Sequence, residues 1–249
     1  MAQGSVGKIR IFEDFTGPEV PVALTTDVEN LGPFKIGGEG FEDNDTGAVV
    51  YDSDGLNGVI KLVSGNTDKD TTALMTGKMF DVGLNAPIVI EARTRFGDLD
   101  DKQFFIGLTD TADDDCSQED DVIAAASSSA FTLAASDLVG FFWSSEVETG
   151  AEDWYGVYNG GTTTGVTTAS SVDLDADATL GEFQVLRLEI APDGKTYWYV
   201  DGVLKQTVEG AVSTSTDLAF VCGVAANTTE LGEVDIDYIL VEANRDWTA

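Results

Sequence analysis

Histidine is absent from the 249 residues, and 13 lysines and arginines stand against 45 aspartates and glutamates, a formal net charge of −32. Without imidazole, zinc sites lose a standard ligand and serine or cysteine nucleophiles lose their usual base, so most hydrolase and metalloenzyme designs drop out. Carboxylate chemistry or no chemistry remains. So few cations cannot displace the counterions of a phosphate backbone, which makes nucleic acid a poor partner. The two cysteines share no CxxC spacing: Cys116 lies in an acidic loop and Cys222 in the apolar run Ala219–Val224. They form no disulfide framework. Cys222 reads as a buried thiol, and the sequence leaves the pairing of the two open. No apolar run approaches membrane-spanning length, and Met1–Lys8 lacks the apolar core of a signal peptide. The expected product therefore starts in the cytoplasm, with no membrane partner.

What is present is enough to fold. An apolar content of 43% supports a substantial core. Self-repulsion of the acidic surface opposes compaction unless salt screens it, so a saline habitat suits this chain. The plain reading of the charge is solubility.

Segments rich in Val, Ile, Phe, Tyr and Thr alternate with Gly and Asp punctuation, the pattern of strands joined by turns. Strands are expected at Lys8–Phe15, Gly32–Gly37, Val49–Tyr51, Val59–Val63, Ala73–Phe80, Pro87–Phe96, Gln103–Thr109, Leu138–Ser144, Trp154–Tyr158, Phe183–Ile190, Thr196–Val200, Val203–Val208, Leu218–Ala225 and Glu233–Val241. Helical periodicity is almost missing, and Asp120–Ala126 supports a short turn of helix at most.

Two hairpins are legible in detail. In Pro192-Asp193-Gly194, proline presets the first corner and glycine supplies a positive φ, which sets Leu186, Leu188 and Ile190 opposite Val200, Trp198 and Thr196. The other face then carries Arg187 and Glu189 beside Tyr199 and Tyr197. Asp201-Gly202 is a two-residue turn that folds Val203–Val208 back. So many strands need two sheets packed face to face, or one closed barrel, to bury their apolar sides. The expected architecture is all-β, an antiparallel two-sheet sandwich in a single domain over 31–249. The less regular residues 1–30 are expected to form an N-terminal arm. Thr162–Ser171 reads as a loop or edge strand.

Phe183–Ile190, the Pro192-Asp193-Gly194 turn and Tyr197–Leu204 resemble the laminin-G-like branch of the concanavalin A-like lectin/glucanase superfamily. Phe104–Asp110 and Val234–Val241 are similar to two further strands of that fold. The resemblance implies a jelly roll whose last strand lies beside its first, near Ile9–Phe15. It specifies function poorly, since the fold hosts glycosidases, lectins, adhesion modules and viral surface proteins. The acidic, signal-free chain as a whole is similar to capsid cement and decoration proteins of marine tailed bacteriophages. That second likeness implies a non-enzymatic virion protein on the capsid surface, partnered by the major capsid protein and by copies of itself, its first thirty residues bridging neighbours. The alternative is a carbohydrate-binding module, free or virion-attached.

A retaining glucanase needs two carboxylates about 5 Å apart. Glu233-Val234-Asp235-Ile236-Asp237 comes nearest, but it ends in Asp and sits on the C-terminal strand. Glu146, Glu148, Glu152 and Asp153 lack strand alternation. Solvated or hydrogen-bonded carboxylates are expected in both places, and no catalytic residue is assigned. For calcium, Asp173, Asp175 and Asp177 copy the first spacings of an EF-hand, but Ala178 replaces the turn glycine and Gln184 the final ligand. Asp52-Ser53-Asp54-Gly55 and Asp113-Asp114-Asp115 with Glu119, Asp120 and Asp121 read as acidic loops; no metal or cofactor is assigned. For the glycan alternative the candidate stacking rings are Trp143, Trp154 and Tyr158, with core packing as their plainer fate.

Overall fold

Both turns form as expected: the first hairpin keeps its register throughout, and in the second a bulge between Trp198 and Tyr199 shifts the pairing by one residue beyond Tyr199–Leu204. The computed structural model describes residues 7–16, 29–42, 47–52, 58–127, 129–147 and 152–246. Ile190 pairs with Thr196, Leu188 with Trp198 and Leu186 with Val200. The Gly194 amide donates to Ala191 and the Ala191 amide to Lys195, with Gly194 at φ +76°. Asp201 and Gly202 both take positive φ, +50° and +76°, as a turn matched to the twist of its strands requires.

These strands begin one antiparallel sheet, here termed the charged sheet. Its order runs Val203–Val208, Thr196–Val200, Gln184–Ile190, Ile88–Arg95, Glu233–Asn244, Ile60–Val63 and Ala48–Tyr51. Its strands alternate: Leu186, Leu188 and Ile190 are buried while Arg187 and Glu189 face outward. Lys8–Glu13 pairs with Ile239–Asn244, so the last strand does lie beside the first. The expectation of an arm over residues 1–30 therefore fails for Lys8–Glu13, which is held by a full ladder. Residues 1–6 and 17–28 lie outside the described residues.

The second antiparallel sheet, termed the covered sheet, runs Asp173–Asp177, Asp153–Asn159, Leu138–Ser144, Lys102–Thr109, Asp217–Ala226, Thr71–Met75, Phe34–Gly37 and Glu29–Leu31, with Phe80–Asp81 also on Asp217–Ala226. Every residue of Lys102–Thr109 and Leu138–Ser144 is buried. Burial without alternation means that both faces of this sheet are packed. One face meets the charged sheet: the Trp198 Nε1–H crosses between layers to the Gly140 carbonyl at 2.8 Å, and Tyr158 packs on Trp198.

Each expected strand segment overlaps an observed one. Ala73–Phe80 divides into Thr71–Met75 and Phe80–Asp81, and Gln118–Val122 makes a single π-helical turn where a turn of helix was expected. Sequence reasoning missed four strands: Glu29–Leu31, Ile123–Ser127, Ala130–Leu133 and Asp173–Asp177. Cys116 and Cys222 are both buried free thiols. Among the described residues no helix is long and apolar enough to cross a membrane.

Candidate functional site

The outer face of the covered sheet lies beneath the chain's own residues. The Gln118–Val122 turn and the Ile123–Ser127/Ala130–Leu133 hairpin lie over it, and buried Cys116, Val122, Ile123 and Phe131 supply the apolar contacts. Phe131 sits edge-on to Phe142 and Tyr155, ring centroids 5.2 and 5.0 Å apart. Gln103 receives the Ala125 amide at 3.2 Å on its side-chain oxygen and donates its amide to Glu119. The Gln118 amide donates to Thr71 at 2.9 Å. A second layer closes the roof, with the Phe131 amide on the Thr167 carbonyl and the Ala169 amide on Ser129. Burial, with the charges of Asp68 and Glu146, raises the Glu119 carboxyl to about 7, so near neutral pH much of it is uncharged under this roof.

The three candidate stacking rings point the other way. Trp143, Trp154 and Tyr158 are 0%, 1% and 5% exposed, inside the interlayer core. Phe96 packs between both indoles, 4.7 Å from Trp143 and 5.5 Å from Trp154, and the Trp154 Nε1–H donates to Gln184 at 3.1 Å. A sugar cannot reach any of the three without separating the sheets. The glycan assignment of Trp143, Trp154 and Tyr158 is corrected on that ground. The signal was in the sequence: Phe141-Phe142-Trp143 and Phe104-Phe105-Ile106 are unbroken apolar runs, and such runs leave no face for solvent.

The nearest match to a catalytic carboxylate pair is an ion-pair array on the outer face of the charged sheet. Asp235 takes Arg95 Nε at 2.8 Å and Nη2 at 2.6 Å, and the same guanidinium reaches Asp52 at 2.8 Å. A bulge at Asp237 turns Asp237 and Tyr238 outward together, where Asp237 pairs with Arg93 and the Tyr238 hydroxyl donates to Glu91 at 2.8 Å. Lys61 holds Glu233 at 2.7 Å. Arg93 and Arg95 both lie over the Phe183 ring. Burial pushes the Asp235 carboxyl up while Arg95 and Lys61 pull it down. Cations stand between these carboxylates, so the arrangement braces the sheet and leaves no free acid–nucleophile pair there.

The remaining acidic clusters are tied into the fold. Asp173–Asp177 is an edge strand on Asp153–Asn159, not a cation loop. Asp175 sits at φ +49° with its amide on the Asp173 carboxylate. Asp114 pairs with Lys35, Asp120 with Lys69, and Asp121 accepts the Ser117 amide. Asp54 and Glu148 lie outside the described residues. Among the described residues no three His, Cys, Asp or Glu side chains converge as metal ligands.

Among the described residues an open concavity lies where three loops meet. Loops 160–162, 192–193 and 212–215 enclose about 320 Å³. No motif marks it, because its walls come from three separate stretches of sequence.

This sandwich of two antiparallel sheets is a concanavalin A-like jelly roll. A protein of unknown function from Shewanella oneidensis MR-1 is similar at a TM-score of 0.59 and 10% identity, over 98% of this chain and 89% of that one. The endo-β-1,3-glucanase of Pyrococcus furiosus is similar at 0.54 and 17% identity, over 96% and 95%. The Bacillus licheniformis β-glucanase is similar at 0.53 and 13% identity, over 93% and 97%. At such identities the likeness is one of fold. No protein-family model and no curated protein matches the sequence.

Proposed function

We propose that the chain is a non-catalytic adhesion protein, a structural subunit of a tailed-bacteriophage virion that sits on the capsid surface as a cement or decoration protein. Its partners in this reading are the major capsid protein and neighbouring copies of itself. The observation that carries it is the roof over the covered sheet: residues 118–127 and 129–135 pack over its outer face and leave no open groove there. The nearest candidate catalytic carboxylates, Asp235 and Asp237, are spent on Arg95 and Arg93. An adhesion subunit needs neither groove nor acid–base pair, because symmetry multiplies shallow contacts into firm attachment. A net charge of −32 keeps the free subunit soluble until it docks.

The test has two arms. Incubation with β-1,3- and β-1,4-glucans, glucuronan and mucin glycans should release no new sugar ends. Co-sedimentation with capsids of the encoding phage that lack this protein should saturate at a fixed ratio to the capsid protein. Turnover of any polymer, or failure to bind such capsids, overturns the proposal.

A second reading, carbohydrate binding, is favoured by the rim pocket. Its lining is polar and small, and solved proteins of this fold include β-glucanases. The two readings are compatible, since a surface subunit can also hold a glycan.

A further inference from the structure

The rim pocket is held open by contacts that fix all three of its loops. The Thr163 amide donates to Gly210 at 2.9 Å and the Ala211 amide to Gly194 at 2.8 Å, which ties the first loop and the hairpin turn to the 209–215 connection. Two glycines permit this closeness: a Cβ at Gly161 would fall 2.1 Å from the Gly210 carbonyl, and one at Gly194 would fall 2.5 Å from that of Val212. Ser213 is held in place, its hydroxyl paired with that of Thr216 at 2.9 Å and its oxygen accepting the Ser215 amide at 3.2 Å. Thr216 in turn reaches Asp137 at 3.2 Å. Such a cavity does not have to be ordered when a ligand arrives.

Its chemistry is selective. Thr214 and Ser215 bring hydroxyls that both donate and accept, Asp193 brings a carboxylate, and Pro192 and Val212 bring apolar surface. No lysine or arginine lines it. A carboxylate accepts hydrogen bonds from neighbouring hydroxyls of one ring, while the proline ring suits the C–H face of that ring. An anionic ligand would meet Asp193 and the field of the whole chain. At about 320 Å³ the pocket stands at the lower end of small-molecule sites and has room for one ring, not a chain.

We propose that this pocket binds a single uncharged sugar unit, such as the terminal residue of a glycan. The proposal rests on the carbohydrate-binding reading and supplies the site that Trp143, Trp154 and Tyr158 cannot. The experiment is amide NMR on the full chain with glucose, galactose or N-acetylglucosamine, with glucuronate as the charged control, followed by a glycan array. At least one neutral sugar should give saturable shifts confined to residues 160–162, 193–194 and 212–216, with glucuronate at least tenfold weaker. Ser215→Trp, which fills the pocket from its exposed rim, should abolish binding. Asp193→Asn keeps the acceptor for the Lys195 amide, at 3.1 Å in the native turn, and should weaken binding at least fivefold. Binding that maps elsewhere or survives Ser215→Trp overturns the pocket and leaves the carbohydrate reading intact. An array with no bound glycan overturns both.

Discussion

Asp153 and Asp177 face each other across the outermost strand pair of the covered sheet and share a hydrogen bond between their carboxyl groups. Burial, that bond and the charges of Asp173, Asp177 and Asp175 raise Asp153 to about 7. A carboxyl raised on folding binds its proton more tightly in the native state than in the unfolded chain. Its contribution to stability is therefore fully present below the ordinary carboxylate range, shrinks as pH rises, and is gone above about pH 7. Asp153→Asn should match the native protein near pH 4 and exceed it at pH 8, by on the order of 1 kcal/mol after solvent screening. Urea denaturation at the two pH values reads the difference directly, and equal midpoints at pH 8 would dispose of the shared proton.

Trp154 belongs to the interlayer core, so its removal should act on folding. Trp154→Ala opens a cavity beside Phe96 and Phe104 and removes one of the two donors to the Gln184 side-chain oxygen, the Thr179 amide remaining. The expected loss is about 3–5 kcal/mol. A variant with the native denaturation midpoint would contradict this placement of the ring.

The charged sheet was readable because its periodicity and its turns agree. Leu186, Leu188 and Ile190 alternate with Arg187 and Glu189, and Pro192-Asp193-Gly194 leaves one register available, whereas the bulge at Trp198–Tyr199 in the next hairpin carries no signal in its Asp201-Gly202 turn. The roof was not readable in the same way. Ala124, Ala125 and Ser127 carry weak strand preference, and they pair with Ala130–Leu133 because the aromatic face beneath needs covering. The unbroken run Phe104-Phe105-Ile106 announced such a cover without saying which segment supplies it. The rim pocket lies further from the sequence still, since Gly160, Asp193 and Ser213 meet only once three separate connections come together.

Arg95 is the keystone of the outer ion-pair array. Asp235 is only 5% exposed and takes two hydrogen bonds from this one guanidinium. Arg95→Ala should leave a buried charge without its main partner and cost about 3 kcal/mol. Arg95→Met with Asp235→Leu should recover most of that, because both charges leave together. A thermal or urea series over the single and double variants measures the coupling. A double variant no better than Arg95→Ala alone would show that Asp235 does not depend on Arg95.

Phe131 decides whether the roof can lift. Its ring is the hairpin's contact with the two aromatic side chains beneath it, Phe142 and Tyr155; buried Ile123 adds a second apolar contact, and hydrogen bonds through Gln103, Thr167 and Ser129 help hold the hairpin down. Truncation to alanine removes the aromatic contact and leaves Ile123 and those bonds, so the hairpin should loosen before the sandwich does. Phe131→Ala is therefore expected to cost about 3–5 kcal/mol. Amide exchange should accelerate most in 118–135, with new binding of a hydrophobic dye to the exposed Phe142 and Tyr155, while Gln184–Val208 keeps its protection. If exchange instead rises evenly over both sheets, the roof is part of one cooperative core. The face beneath it would then be closed to ligands at every stage short of global unfolding, and any ligand would have to be met outside that face.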